Sequence, residues 1–135
     1  MGIGFRMNNK AIFLDRDGVL NQSIVVHGKP YPPASLKDVV IPPDVPHALQ
    51  SLKSAGYYLI GITNQPDVAR KKTSKEEVIE IHEFLIKELH LDDILVCYHD
   101  DNDACSCRKP KPGLFLEAAH RYQIDVTKSY MIGDR

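Results

Sequence analysis

Asp15 and Asp17 stand two positions apart, directly after the short apolar run 11–14 and before Gly18. A carboxylate can attack phosphorus in line and form an aspartyl-phosphate, which divides the hydrolysis of a phosphate ester into two steps. A second carboxylate can protonate the leaving oxygen and then take a proton from the attacking water. Two acids beside a phosphate require a cation, and Mg²⁺ suits because it binds one or two carboxylates together with phosphate oxygens and water. The alternative interpretation is a solvated Asp-Arg-Asp-Gly turn.

Polar and charged residues later in the chain are suited to hold the same phosphate. Thr63 and Asn64 offer a hydroxyl and an amide for phosphoryl oxygens. Lys109 offers a point charge for the carboxylate and the phosphate, and Arg108 offers a bidentate grip on a phosphate. Asp134, after Gly133, would complete the Mg²⁺ shell. In isolation each of these residues is equally typical of a turn or a solvated basic loop.

The cysteines of the chain cluster with one histidine, at Cys97, His99, Cys105 and Cys107. Three thiolates and one imidazole suit tetrahedral Zn²⁺, and four protein ligands make a closed, structural site. The cluster ends immediately before Arg108, so we expect zinc to stabilise the loop that positions Arg108 and Lys109. The alternative is a set of core or surface cysteines with a chance histidine.

Composition excludes several classes of protein. A chain of 135 residues argues for one domain, and 43% hydrophobic with 26% charged residues is typical of globular proteins. The net charge of -1 gives no field that would draw the chain to nucleic acid or an acidic membrane. The apolar runs are too short to span a bilayer, and the first residues do not resemble a signal peptide. We therefore expect a cytoplasmic monomer that binds a small phosphorylated metabolite, without nucleic-acid or membrane partners.

Short apolar runs alternate with helix signals along the chain. Strands are predicted at 11–14, 57–63, 94–97 and 130–132, and helices at 44–55, 74–89 and 114–122. Asp44 is predicted to cap the first helix, Ser74 and Glu77 form a capping box for the second, and segment 22–43 is predicted to be a loop or small hairpin. The alternation predicts a Rossmann-like α/β fold, with three α/β/α layers and a central parallel sheet. Ligands bind outside the carboxyl ends of such strands, where the two aspartates, Thr63 and Asp134 stand.

The ordered set of motifs resembles that of the haloacid dehalogenase-like (HAD) phosphatase superfamily over nearly the whole chain. The four motifs are Asp-x-Asp-Gly, Thr-Asn, Lys-Pro and Gly-Asp. The resemblance implies Asp15 as the nucleophile and Asp17 as the general acid/base. It also implies Lys109 as the motif-three lysine, because the family places this lysine directly before the first proline. Phosphate would bind Thr63 and Asn64. Mg²⁺ would bind the Asp15 side chain, the Asp17 backbone carbonyl and Asp134.

Three segments resemble the zinc-containing branch of D-glycero-D-manno-heptose 1,7-bisphosphate phosphatase and histidinol-phosphate phosphatase. They are 15–18, 63–65 and 105–110, so Gln65 joins the expected phosphate-binding residues. Ala69-Arg70 resembles the substrate loop of the heptose enzyme, where Arg70 would contact a second phosphate. Pro66-Asp67 and Lys71-Lys72 differ from the small, glycine-containing residues usual there, and a solvated loop is the alternative. The expected substrate is therefore the heptose bisphosphate, and histidinol phosphate is the alternative substrate. A further alternative is that the chain is a zinc-stabilised binding domain with impaired catalysis.

Two expectations concern the end of the sequence and the remaining histidines. Members of the superfamily continue past Gly-Asp-Arg with another acid, a helix and at least one strand, whereas this sequence stops at Arg135. We expect one HAD-like domain over 1–135 that is truncated at its C-terminus and has reduced or no activity.

The histidines outside the cysteine cluster, His82 among them, are expected to be surface or helix-face residues without a role.

Overall fold

In the part of the chain that the structure describes, four parallel strands form the central sheet, and two further strands form a separate antiparallel hairpin. The computed structural model describes residues 8–99, 105, 109 and 112–133. Within these residues the strands are β1 (Lys10–Asp15), β2 (Ile24–Val26), β3 (Lys29–Tyr31), β4 (Tyr57–Asn64), β5 (Asp93–Cys97) and β6 (Tyr130–Ile132). Their order across the sheet is β5-β4-β1-β6, with β2 and β3 forming the hairpin. This confirms the predicted parallel sheet and all four of its predicted strands.

Strand β1 is apolar on both sides, because it lies inside the sheet with helices on each face. Successive side chains of a strand point to opposite faces. Accordingly Ala11 and Phe13 pack into one core cluster, whereas Ile12 and Leu14 pack into another. Burial of Ile12, Phe13 and Leu14 contributes about 1.5–3 kcal/mol for each side chain. From Ala11 to Leu14 the strand is therefore a continuous apolar run, and it ends at the charged residue Asp15.

The helices are α1 (Val45–Ser54), α2 (Lys75–Leu89) and α3 (Gly113–Tyr122). Leu49 of α1 and Ile81 and Leu85 of α2 belong to the core cluster of Ile12 and Leu14. Leu114 and Ala118 of α3 belong to the cluster of Phe13. The sheet therefore has helices on both faces, which gives the predicted three-layer α/β/α arrangement.

The ends of two helices test the capping predictions. Ser74 Oγ accepts a hydrogen bond from the Glu77 backbone N–H at 3.1 Å, so the cap of α2 is confirmed. Asp44 occupies the cap position of α1, but its side chain makes no capping hydrogen bond. The prediction of a side-chain cap was wrong because the backbone of Asp44 is helical (φ -85°, ψ -12°), whereas a capping side chain needs an extended backbone to reach the first turn.

Segment 22–43 contains the β2–β3 hairpin, which the sequence left open as one of two possibilities. Ile24 pairs with Tyr31 and Val26 with Lys29, so His27 and Gly28 form the two-residue turn. Both have positive φ, 51° and 76°, as a type I′ turn requires. The hairpin is exposed along its length.

No helix among the described residues is both long enough and apolar enough to cross a membrane. The expectation of one domain over 1–135 that lacks the C-terminal part of the usual fold stays a prediction.

Candidate active site

Asp15 lies at the carboxyl end of β1 and is bound by a lysine. Its side chain is 4% exposed, and Lys109 Nζ contacts Oδ1 in an ion pair. The same ammonium donates to the backbone carbonyl of Ile62 on β4 at 3.2 Å. Asp15 pairs in register with Ile62. Two neighbouring strand ends therefore hold the cation directly against the predicted nucleophile, as the point-charge role of Lys109 requires.

Asn64, at the end of β4, binds the backbone of Lys109. The Lys109 N–H donates to Asn64 Oδ1 at 3.0 Å, and Asn64 Nδ2 donates to the Lys109 carbonyl at 3.4 Å. Thr63 is 2% exposed, and its Oγ1 accepts from Gln65 Nε2 at 2.8 Å. These side chains thus have protein partners within the site. The phosphate contacts expected for Thr63, Asn64 and Gln65 stay predictions.

The turn after β1 presents Asp17 with both of its carboxylate oxygens hydrogen-bonded. The backbone carbonyl of Arg16 accepts from the N–H groups of Leu20 and Asn21 at 2.8 and 3.1 Å. Oδ1 of Asp17 accepts from Arg16 Nε at 3.2 Å, Arg16 Nη2 at 2.9 Å and Asn21 Nδ2 at 3.0 Å. Oδ2 accepts from Gln65 Nε2 at 3.0 Å. The carboxylate expected to move protons is therefore fixed in orientation.

Behind Asp17 lies a buried pair that sequence reasoning missed. The Arg16 side chain is 0% exposed, and its Nη1 lies 3.1 Å from Nε2 of His82 on α2. Burial, with the Arg16 charge second, lowers the pKa of His82 to about 3, against smaller raising effects of Asp17 and Asp93. His82 is therefore neutral at neutral pH. Because a guanidinium can only donate, Nε2 is the acceptor and the imidazole proton sits on Nδ1.

The expectation that His82 is a surface or helix-face residue without a role was wrong about its burial. His82 is 7% exposed and lies among the buried residues of α2. The helical spacing contained a signal, since His82 directly follows Ile81 and lies four positions after Val78, both of which are buried. Its partner is 66 positions away, which no local pattern indicates.

Gly133 lies against the carboxylate of Asp15. A Cβ at position 133 would overlap Oδ2 and Cγ of Asp15, so the site accommodates no side chain there. Gly133 directly precedes Asp134 in the sequence, and Asp134 itself lies outside the described residues. The carboxylate of Asp15 and the backbone around it offer oxygen donors, which fit a hard cation such as Mg²⁺.

A cavity of about 290 Å³ opens beside this site. Asp17 and Asn64 line it together with Arg70 and Lys72, and Tyr31 of the hairpin lines it as well. Arg70 also forms an ion pair with Asp67 at 3.8 Å. The cavity thus places the carboxylate of Asp17, which is predicted to transfer protons, and a pair of cationic side chains around one space. Arg108, the other predicted phosphate ligand, lies outside the described residues.

Three of the four predicted zinc ligands come together at the end of β5. Cys97 Sγ is 3.5 Å from His99 Nδ1 and 3.8 Å from Cys105 Sγ, and the three ligand atoms lie within 4.8 Å of one another. Tetrahedral Zn²⁺, with Zn–S of about 2.3 Å and Zn–N of about 2.0–2.1 Å, separates two sulfurs by roughly 3.8 Å and sulfur from nitrogen by roughly 3.5 Å. The observed separations fit that ion. Cys107 lies outside the described residues.

Comparison with known proteins places the chain in a family. Residues 11–135 match the sequence model described as polynucleotide kinase 3 phosphatase. A relative from Helicobacter pylori (strain ATCC 700392 / 26695), named D-glycero-beta-D-manno-heptose-1,7-bisphosphate 7-phosphatase, is 40% identical over 133 residues, which cover 94% of this chain and 73% of the relative. A protein of the same name from Haemophilus influenzae is 36% identical over 138 residues, covering 94% of this chain and 72% of the relative.

A solved structure agrees in fold. The crystal structure of D,D-heptose 1,7-bisphosphate phosphatase from B. bronchiseptica, complexed with magnesium and phosphate, has a TM-score of 0.77 and 32% sequence identity to this chain. The alignment covers 93% of this chain and 70% of that protein. The site agrees with this, since Lys109 contacts Asp15 at the end of β1 and Asp17 follows two positions later. Because the family model matches residues 11–135, the chain belongs to the HAD-like phosphatase family and hydrolyses phosphate esters.

Proposed function

We propose that this phosphatase hydrolyses D-glycero-D-manno-heptose 1,7-bisphosphate, with Mg²⁺ as the catalytic ion and Asp15 as the nucleophile. The observation that carries the proposal is the Lys109–Asp15 ion pair, which lies near a cavity lined by Asp17, Arg70 and Lys72. One phosphate fits at Asp15, and the cations of the cavity suit a second anionic group. The relatives at 36–40% identity carry the name of the corresponding 7-phosphatase, which supports this choice of substrate.

The reaction takes two steps in this proposal. A carboxylate oxygen of Asp15 bonds to phosphorus while the ester P–O bond breaks, and the leaving oxygen takes a proton from Asp17. Water then attacks the phosphorus and gives a proton back to Asp17, and the bond between Asp15 and phosphorus breaks. Lys109 balances charge at Asp15 throughout. Bound at the Asp15 side chain, the Asp17 backbone carbonyl and Asp134, Mg²⁺ would supply stabilisation of charge on the phosphoryl oxygens.

A structural Zn²⁺ bound by Cys97, His99, Cys105 and Cys107 is part of the proposal. The separations of the first three ligand atoms support it. Cys105 stands four positions before Lys109, so the ion would hold the segment that carries the lysine. The cytoplasmic location, the monomeric state and the lack of nucleic-acid and membrane partners stay predictions.

Phosphate release from a substrate panel tests the proposal. The panel contains heptose 1,7-bisphosphate, histidinol phosphate and an oligonucleotide with a 3′-phosphate, each with Mg²⁺ and with EDTA. We expect the highest kcat/KM for the heptose bisphosphate and no turnover in EDTA. Histidinol phosphate has one phosphate and supplies no second anionic group to the cavity, so preference for it would contradict the assigned substrate. Binding of the bisphosphate without turnover would instead indicate an impaired binding domain.

The matched variant for this panel is Asp15→Asn, which keeps the shape of the side chain but removes the nucleophile. We expect it to abolish turnover of every substrate. Retained turnover in Asp15→Asn would exclude the aspartyl-phosphate route.

A further inference from the structure

Arg16 is oriented by partners on both sides of its guanidinium. Its Nε and Nη2 both point at Oδ1 of Asp17, and Nη1 points at Nε2 of His82. The guanidinium is wholly buried, and a buried cation needs its donors paired. His82 supplies a neutral acceptor where a second carboxylate would compete with Asp17 for the same cation. All of the charge of Arg16 is thus directed toward one carboxylate.

The two oxygens of Asp17 are consequently unequal. Oδ1 accepts three N–H donors, two from Arg16 and one from Asn21. A carboxylate oxygen has about two lone-pair positions, so Oδ1 has no capacity left for another partner. Among the residues that the structure describes, Oδ2 accepts one donor, from Gln65 Nε2, and it retains capacity for another. Asp17 is one of the residues that line the cavity beside Asp15, so the less engaged oxygen belongs to a carboxylate that faces substrate space.

We propose that Arg16, braced by His82, is a positioning residue that turns Oδ1 of Asp17 into the protein and presents Oδ2 to the leaving oxygen of the substrate. The inference rests on the proposed proton-transfer role of Asp17. Proton transfer needs the donor oxygen within hydrogen-bond reach of the oxygen it protonates. Without His82, Arg16 loses the acceptor for Nη1, and its two hydrogen bonds hold Oδ1 of Asp17 less firmly.

The experiment compares His82→Leu with the matched variant His82→Gln, whose Oε1 can still accept from Arg16. Each is assayed on a sugar phosphate, a poor leaving group that needs protonation, and on 4-nitrophenyl phosphate, a good leaving group that does not. The measured quantity is kcat/KM, because it reports only the steps through loss of the leaving group. We expect His82→Leu to lower kcat/KM about tenfold on the sugar phosphate and less than about twofold on the nitrophenyl ester. His82→Gln restores most of the loss.

Equal losses on both substrates would mean that His82 has a merely structural role, and they would overturn the proposal. An unchanged kcat/KM for the sugar phosphate in His82→Leu would overturn it as well. Failure of the proposed function looks different, because the wild-type chain itself would then release no phosphate from the sugar phosphate.

If His82→Leu does not fold, a measurement on the wild-type chain tests whether Nε2 of His82 accepts the hydrogen bond from Arg16. Imidazole ¹⁵N resonances, with the His82 signals identified by their absence from His82→Gln, report the tautomer. We expect a neutral ring with its proton on Nδ1 at pH 7. A proton on Nε2 would overturn the proposal, since that nitrogen then has no lone pair for Arg16.

Discussion

Asn64 and Lys109, 45 positions apart, are joined by two hydrogen bonds between the Asn64 amide and the Lys109 backbone. The ammonium of the same lysine contacts Asp15. Asn64 therefore fixes the backbone of the lysine whose ammonium contacts Asp15, the predicted nucleophile. A residue predicted to bind phosphate thus also holds Lys109 in place.

Asn64→Ala is expected to lower kcat by about 10²-fold, since a small displacement of a catalytic group has an effect of this size. Asn64→Asp keeps an acceptor for the Lys109 N–H but loses the donor to its carbonyl, so an intermediate kcat is expected. Steady-state kinetics on the sugar phosphate measure both. Equal activity of the alanine variant and the wild type would show that Lys109 is positioned by other contacts.

Gly133→Ala is expected to lower kcat by about 10²-fold, because the new Cβ must displace the carboxylate of Asp15. Gly133 is exposed and follows the edge strand β6, so the Tm measured by circular dichroism should change little. A variant with full activity would show that the carboxylate of Asp15 can move aside without loss of function.

The buried His82 makes the free energy of unfolding depend on pH. Its pKa in the folded chain is about 3, against 6.5 for the unfolded chain, so between these values the unfolded state binds more protons. The free energy of unfolding is therefore highest above pH 6.5, where His82 is neutral in both states. It decreases as the pH falls toward 3, by roughly 1 kcal/mol per pH unit, because only the unfolded chain takes up the proton.

Urea unfolding at pH 7 and pH 5 measures this dependence, and His82→Gln provides the control. Other groups that titrate in this range change the free energy of unfolding of both proteins alike. The difference between the wild type and His82→Gln therefore reports the contribution of His82. We expect the wild type to lose more stability than His82→Gln on acidification. Identical losses would mean that His82 is solvated or charged in the folded chain.

Cys97→Ser is expected to remove bound zinc, to lower Tm and to lower kcat, because the segment that carries Lys109 loses its anchor. Metal analysis of the wild type should find roughly one zinc per chain. Asp15→Asn separates the two sites, since it should abolish turnover and leave the zinc content unchanged. Wild-type protein without zinc would contradict the structural metal site.

Much of the fold and part of the site could be predicted from local patterns. The apolar run before Asp15 and the alternation of strands with helices were enough to predict a parallel sheet. The carboxyl ends of parallel strands share one edge, so Asp15 and Thr63 were expected there and lie there.

The pair Arg16–His82 could not be predicted in the same way. An arginine between two aspartates reads as a solvated turn, and a histidine on a helix reads as a surface residue. Their burial results from the packing of α2 on the sheet, which brings together residues 66 positions apart. Charge burial of this kind is determined by tertiary contacts, and local patterns do not encode it.

The β2–β3 hairpin has a consequence for how this enzyme can diversify. Its strands pair with each other and contribute no residue to either core cluster, yet Pro30 and Tyr31 line the cavity. Replacing the hairpin would therefore leave the sheet and the nucleophile undisturbed. Changes in the hairpin, whether natural or engineered, can therefore alter which substrate is bound while the residues of the hydrolytic site stay the same.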